Sequence, residues 1–357
     1  MRLLLLCALA LLGCESVLSA QTFKLVQLPA DVQTGPASIG VQTKEGRIFA
    51  GPVTGGLLRL QADAGAWEEL PPPSLARFLP DFKDGLALAQ GNGGSGLLRA
   101  VGDDFTAFFP TVPALRDPAF TTGLSAVLGR DATGTFWASV APTFGGINGK
   151  VVVAHFDPAS ADWIYDEVPT ELTLGSARPA MTSDARFFFR PQESGLWEID
   201  VPNHVLVERV PCTHELFRPS GEGFMQCQEQ TYVFAGLNGE LFLLNAHREL
   251  WRVPARGTAP SLVVKGELPR LATEGRAQAA PLTYVDPKGR VWLGFRWGTN
   301  VDGDVSYLYV AEPSKSDKWT FLKKDLPRSI VLLGNANTPL ISSVSQNTGL
   351  LLFRAAE

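Results

Sequence analysis

Four cysteines, four histidines and a scatter of arginines are the side chains here with the most chemistry to offer. His155, His204, His214 and His247 lie far apart, with no i, i+4 pair to grip a metal, so packing and surface roles are expected. Cys212 and Cys227 stand fifteen positions apart without a histidine pair nearby. In an oxidising compartment that pattern reads as a disulfide rather than a zinc site. No G-x-S-x-G elbow is present. The run Gly91–Gly96 (GNGGSG) is glycine-rich, but no helix pattern follows it, so it reads as a turn and not as a phosphate cradle. Asn300, Asp302 and Asp304 alternate oxygen ligands in a glycine-containing turn, as Ca²⁺ favours, yet lack the later Glu of an EF-hand loop. A solvated turn is the default reading there; Ca²⁺ is the alternative, and no other cofactor is expected.

The N-terminus reads as an address. Arg2 precedes an apolar run, Leu3–Leu12, too short to span a bilayer and suited to a signal peptide over residues 1–13. Leu11-Leu12-Gly13-Cys14 resembles the bacterial lipobox, in which the cysteine is lipidated and becomes the new N-terminus. Cys14 is the expected lipid site, and residues 14–22 a linker. Glu15, where an Asp would favour the inner membrane, places the expected anchor at the outer membrane. The alternative is cleavage after Ala20 and a secreted or periplasmic soluble protein.

The remaining residues, 23–357, repeat. Short apolar segments ending in proline close at Pro29, Pro71, Pro113, Pro169, Pro211, Pro254 and Pro327. The steps are about 42 residues with two longer intervals, the length of a propeller blade. Within an interval comes an apolar strand, an acid-and-glycine turn, a second strand, a Gly-Leu phrase opening a third, and the Pro-terminated strand. Gly96-Leu97, Gly195-Leu196 and Gly349-Leu350 carry that phrase. No long stretch keeps helical periodicity. The last unit lacks its closing strand, whereas Phe23–Pro29 (FKLVQLP) is a closing strand with no unit before it. The economical solution joins them and removes both open edges. The expectation is an all-β, single β-propeller of seven four-stranded blades closed by the N-terminal strand. Eight blades is the alternative, because Ser261–Pro269 also ends in Leu-Pro inside the longest interval.

Two turns share D-x-x-G-x-[FV]-W: Asp131 to Trp137 (DATGTFW) and Asp286 to Trp292 (DPKGRVW). This resembles the blade repeat of the periplasmic propellers attached to two-component sensor kinases. The resemblance implies a propeller with an extracytoplasmic sensing or binding role and carries over no catalytic residue. The residues themselves have a structural reading: Asp accepts turn amides, Gly134 and Gly289 supply positive φ, and Trp137 and Trp292 pack between blades. The sialidase Asp-box needs Ser or Thr two residues before the Asp, where Gly129 and Tyr284 stand.

Two connections between second and third strands are long, Pro142–Gly149 and Arg296–Asp304, and fall on the same face of a propeller. Arg77, Arg116, Arg178, Arg218, Arg276 and Arg328 recur in the links between blades, on that face too. A ring of guanidinium groups there would take a carboxylate or phosphate. The competing reading pairs each with a local acid such as Asp117, Glu215 or Glu274. Net charge −5 argues against a nucleic-acid surface. The leading expectation is a non-enzymatic, monomeric envelope lipoprotein whose propeller face binds a protein or glycan partner. The rival is a propeller lyase or hydrolase with a metal on the axis. The innermost strands, judged by Gln42, Met181, Gln226 and Leu332, offer it few ligands.

Overall fold

A computed structural model describes backbone strands between Phe23 and Ala355 and many of the turns from 124 to 321; side chains are described mainly within 128–157, 164–268 and 283–322. β1 (Phe23–Val26) comes first, followed by β2 (Thr34–Gln42), β3 (Ile48–Val53), β4 (Gly56–Leu60) and β5 (Trp67–Leu70). Next are β6 (Leu75–Lys83), β7 (Leu86–Gly91), β8 (Gly94–Val101) and β9 (Asp104–Phe108), then β10 (Leu124–Arg130), β11 (Phe136–Val140), β12 (Lys150–Asp157) and β13 (Asp162–Pro169). The series continues with β14 (Ala180–Met181), β15 (Phe187–Phe189), β16 (Leu196–Asp200) and β17 (Val205–Val210). It goes on through β18 (Tyr232–Ala235), β19 (Leu241–Leu244), β20 (Leu250–Val253) and β21 (Ser261–Val264), and then β22 (Leu282–Val285), β23 (Val291–Trp297), β24 (Val305–Ala311) and β25 (Thr320–Leu326). β26 (Ile330–Leu333), β27 (Leu340–Ser345) and β28 (Gly349–Ala355) complete it.

Among the described residues these strands form seven four-stranded sheets, each built from consecutive strands except the last, ordered β1-β28-β27-β26. β1 pairs antiparallel with β28, Phe23 against Ala355 and Val26 against Leu352, so the chain's two ends share one sheet as expected. Innermost strands adjoin around a ring: β2 beside β6, β6 beside β10, β10 beside β14, β14 beside β18, β22 beside β26, and β26 beside β2. This is a β-propeller. No helix among the described residues is long and apolar enough to cross a membrane.

The cores lie between blades, which explains why several strands read as unbroken apolar runs. Successive side chains of a strand point to opposite faces. In β15, Phe187 and Phe189 pack with Leu128, Val151 and Val153 of the preceding blade, while Phe188 packs with Leu241 and Trp251 of the next. In β19, Leu241 and Leu243 face back and Phe242 and Leu244 face forward, against Val291, Leu293 and Trp319. The β15 and β19 side chains are each under 3% exposed, and each contributes about 1.5–3 kcal/mol of burial.

Three sequence assignments need correction. Ser261–Pro269 does not open an eighth blade: Ser261–Val264 is β21, the outer strand paired with β20. Leu250–Val253 is therefore a third strand, not a closing one; its apolar pattern with a following proline resembles a closing strand because both faces of a blade are buried. Arg296 and Trp297 belong to β23, paired with Ser306 and Val305, so that long connection is confined to 298–304. Residues 298–304, like 141–149, lie outside the described residues.

Candidate functional site

The D-x-x-G-x-[FV]-W turns join first to second strands and are built for structure. Asp131 Oδ1 accepts the amides of Thr133 and Thr135 at 2.9 and 3.0 Å, and Oδ2 accepts the Trp137 indole N–H at 2.9 Å. Burial works against the charge of Asp131, but bonds from Thr133, Trp137 and Thr135 outweigh it and hold the carboxyl below its ordinary value. Asp286 repeats the pattern with Lys288, Arg290 and Trp292 while fully buried. Gly134 and Gly289 have φ of 88° and 77°, the left-handed region that suits glycine. Trp137 reaches the next blade, its ring 4.7 Å from Phe187. Ala132 N–H donates to the Ser183 carbonyl at 2.9 Å, joining the same turns of neighbouring blades. The motif thus tightens a turn and fastens one blade to the next.

The opposite strand ends carry the links between blades. One such link, from β17 to β18, spans residues 211–231. Cys212 and Cys227 form a disulfide with Cα atoms 5.6 Å apart. Between them, Glu215–Phe217 makes a 3-10 turn capped by His214, whose Nδ1 accepts the Leu216 amide at 3.1 Å. Leu216 and Phe217 are buried in the core between blades, so the link is nailed down by apolar side chains as well as by the bridge. Gln226, expected on an innermost strand, belongs to this link: its Nε2 donates to the carbonyls of Cys212 and His214 at 2.9 and 3.0 Å. The disulfide loop had hidden the true start of the strand, β18 at Tyr232. Gly195, of the Gly-Leu phrase, lies where an added Cβ would strike the Val210 carbonyl beside Cys212, so the phrase marks close backbone approach.

A buried polar group ties the link to the β19–β20 turn. Arg218 Nη2 donates to Glu249 Oε1 at 2.5 Å. Asn245 Nδ2 donates to Glu249 Oε2 at 2.8 Å and to the Leu216 carbonyl at 3.2 Å. Burial opposes the charge on Glu249, but the donors Asn245, Arg218 and Trp251 hold its carboxyl below the ordinary range. Arg218 is therefore engaged by Glu249, not by the sequence neighbour Glu215. Of the other rim arginines, Arg77 lies within β6, paired with Gln90, and not in a link. Arg116, Arg178, Arg276 and Arg328 lie outside the described residues, as do Cys14, Asn300, Asp302 and Asp304.

The histidines are occupied locally. His155 Nδ1 lies 3.1 Å from Asp166 and its ring 4.7 Å from Trp137. His247 Nε2 lies 3.1 Å from the Pro219 carbonyl. Among the described residues no three His, Cys, Asp or Glu side chains are grouped to hold a metal. The group that sequence reading missed is Arg190, directly after β15. Its Nη2 donates to the Cys227 carbonyl, and its Cζ lies 5.4 Å from the Phe217 ring centre. Burial lowers its pKa to about 10. A cation ending the strand Phe187–Phe189 was the available signal, because the apolar run drives the residue after it against the neighbouring link. On the same link Met225 keeps 67% of its surface exposed, flanked by exposed Glu222, Gly223 and Gln226.

No protein-family model matches the sequence, and no curated protein matches it. Solved structures do. YCF48 bound to a D1 peptide is 12% identical, with 95% of this chain and 99% of that one covered at a TM-score of 0.53. YCF48 from Cyanidioschyzon merolae is 13% identical, with 93% and 98% covered at 0.50. An oligogalacturonate lyase in complex with manganese is 10% identical, with 94% and 96% covered at 0.55. The likeness is one of fold. Propellers of this shape include both binding proteins and enzymes.

Proposed function

We propose that the chain is a non-enzymatic, lipid-anchored propeller of the bacterial envelope, whose link-bearing face binds a protein partner. The observation that carries this reading is the link 211–231. It is bridged by Cys212–Cys227, buried at Leu216 and Phe217, and fastened by Arg218–Glu249, yet it holds Met225 out to solvent. An exposed large apolar side chain on a rigid support suits recognition, because little ordering entropy is lost on binding. A peptide-bound protein of the same fold, YCF48, accords with a protein ligand. The anchor rests on Cys14 and its lipobox.

A photo-crosslinking residue at Met225 tests the face, with one at exposed Lys288, on a turn at the opposite strand ends, as control. A discrete cross-linked protein from position 225 and none from 288 is expected. Equal yields, or none from 225, would refute the assignment. Fatty-acid labelling that disappears in Cys14→Ser is expected for the anchor; an unlabelled mature protein starting at Gln21 would overturn it.

A further inference from the structure

We infer that Arg190 is the receptor for a carboxylate on the partner's surface. Several other described arginines have a carboxylate close by: Arg186 and Arg209 share Glu198, Arg218 takes Glu249, and Arg290 takes Asp286. Arg190 has none among the described residues. Its Nε is buried without a hydrogen-bond partner, and its one bond goes to a neutral carbonyl, that of Cys227. A guanidinium drawn out of water without a counter-charge is costly to the fold. Chains commonly keep such groups where a ligand supplies the missing charge.

The surroundings fix the group in place. β15 delivers it from a fully buried strand, the Cys227 carbonyl holds Nη2, and the Phe217 ring centre lies 5.4 Å from Cζ. Those contacts belong to the same bridged link that displays Met225, two residues before Cys227. The residue as a whole is half-buried rather than enclosed. One cation suits a monoanion. Phosphate sites gather several cations or amide N–H groups, whereas Arg190 is a single guanidinium. The occupant is therefore an acidic side chain or a chain-terminal carboxylate of a peptide. This rests on the partner-binding reading for the occupant, but the site itself does not.

The test uses the intact propeller with the ¹⁵Nε resonance of Arg190, assigned by its loss in Arg190→Met. Three probes are titrated at constant ionic strength: N-acetyl-glutamic acid amide, N-acetyl-alanine and inorganic phosphate. A saturable shift with one or both carboxylates, and a much smaller one with phosphate, is expected; which carboxylate acts separates side chain from terminus. Arg190→Lys, which keeps charge but not the planar fork, should weaken the carboxylate about tenfold. Arg190→Met should abolish binding without lowering the melting temperature, since it removes an uncompensated charge. No shift with either carboxylate, or an equal shift with phosphate, would overturn the proposal. A lowered melting temperature in Arg190→Met with no carboxylate shift would assign Arg190 to holding the link instead. Because these probes are small molecules, the result stands apart from the cross-linking outcome at Met225.

Discussion

Replacing Asp286 with Ala would strip one carboxylate from a site with no solvent access. Four donors lose their acceptor: the amides of Lys288 and Arg290 at 2.9 and 3.0 Å, Arg290 Nε at 2.5 Å and the Trp292 indole at 3.0 Å. At a net ~1 kcal/mol per bond, the loss is about 4 kcal/mol, and orphaned buried donors push it upward. With an unfolding entropy of ~2.1 cal/mol/K per residue over roughly 330 residues, that lowers the melting temperature by about 6 °C. Asp131→Ala removes a similar set, but Asp131 is half-buried and water replaces part of it. About half the effect, ~3 °C, is expected there. Asp286→Asn should not rescue, because its amide group would meet Arg290 Nε and the indole donor-to-donor. Differential scanning calorimetry of the three variants at neutral pH decides it. A melting temperature for Asp286→Ala within about a degree of wild type, or a larger loss in Asp131→Ala, would refute the reasoning that the motif is a burial-dependent fastener.

Removing residues through Pro29 deletes β1 and its four-residue register with β28, about 4 kcal/mol of ladder bonds, and opens a sheet edge. The product should be insoluble or far less stable, while truncation through Ala20 is harmless; equal melting of the two would reject the closure. Cys212→Ser with Cys227→Ser should cost about 3 kcal/mol by thermal melting under non-reducing conditions, and an unchanged melt would show that the bridge adds nothing. Glu249 has a folded pKa below its unfolded value, so its stabilisation is complete above about pH 4.3 and fades as pH falls through the lower folded value. The melting difference between wild type and Glu249→Gln should be full at pH 7 and narrow below about pH 4; a difference that grows on acidification contradicts the pairing with Arg218 and Asn245.

The propeller and its closure were legible in the sequence because they rest on local rules. Spaced Pro-terminated strands, Gly-Leu phrases and the D-x-x-G-x-[FV]-W turns report period-2 strands and tight turns, and the orphan strand Phe23–Pro29 named its own partner in β28. The Cys212–Cys227 bridge was expected from the cysteine count and an expected oxidising compartment. What sequence order does not encode is which separated segments meet. Leu250–Val253 reads like a closing strand because both its faces are buried, and only pairing with β21 shows it to be the third. Arg218 had acids nearby in sequence, yet its partner is Glu249, brought close by a turn between other strands. Arg190 carries only a weak local signature, a cation ending the apolar strand Phe187–Phe189. Its isolation from carboxylates and its contact with Cys227 arise from how two blades and a bridged link pack, and charge, unlike strand period, is felt through space and not along the chain.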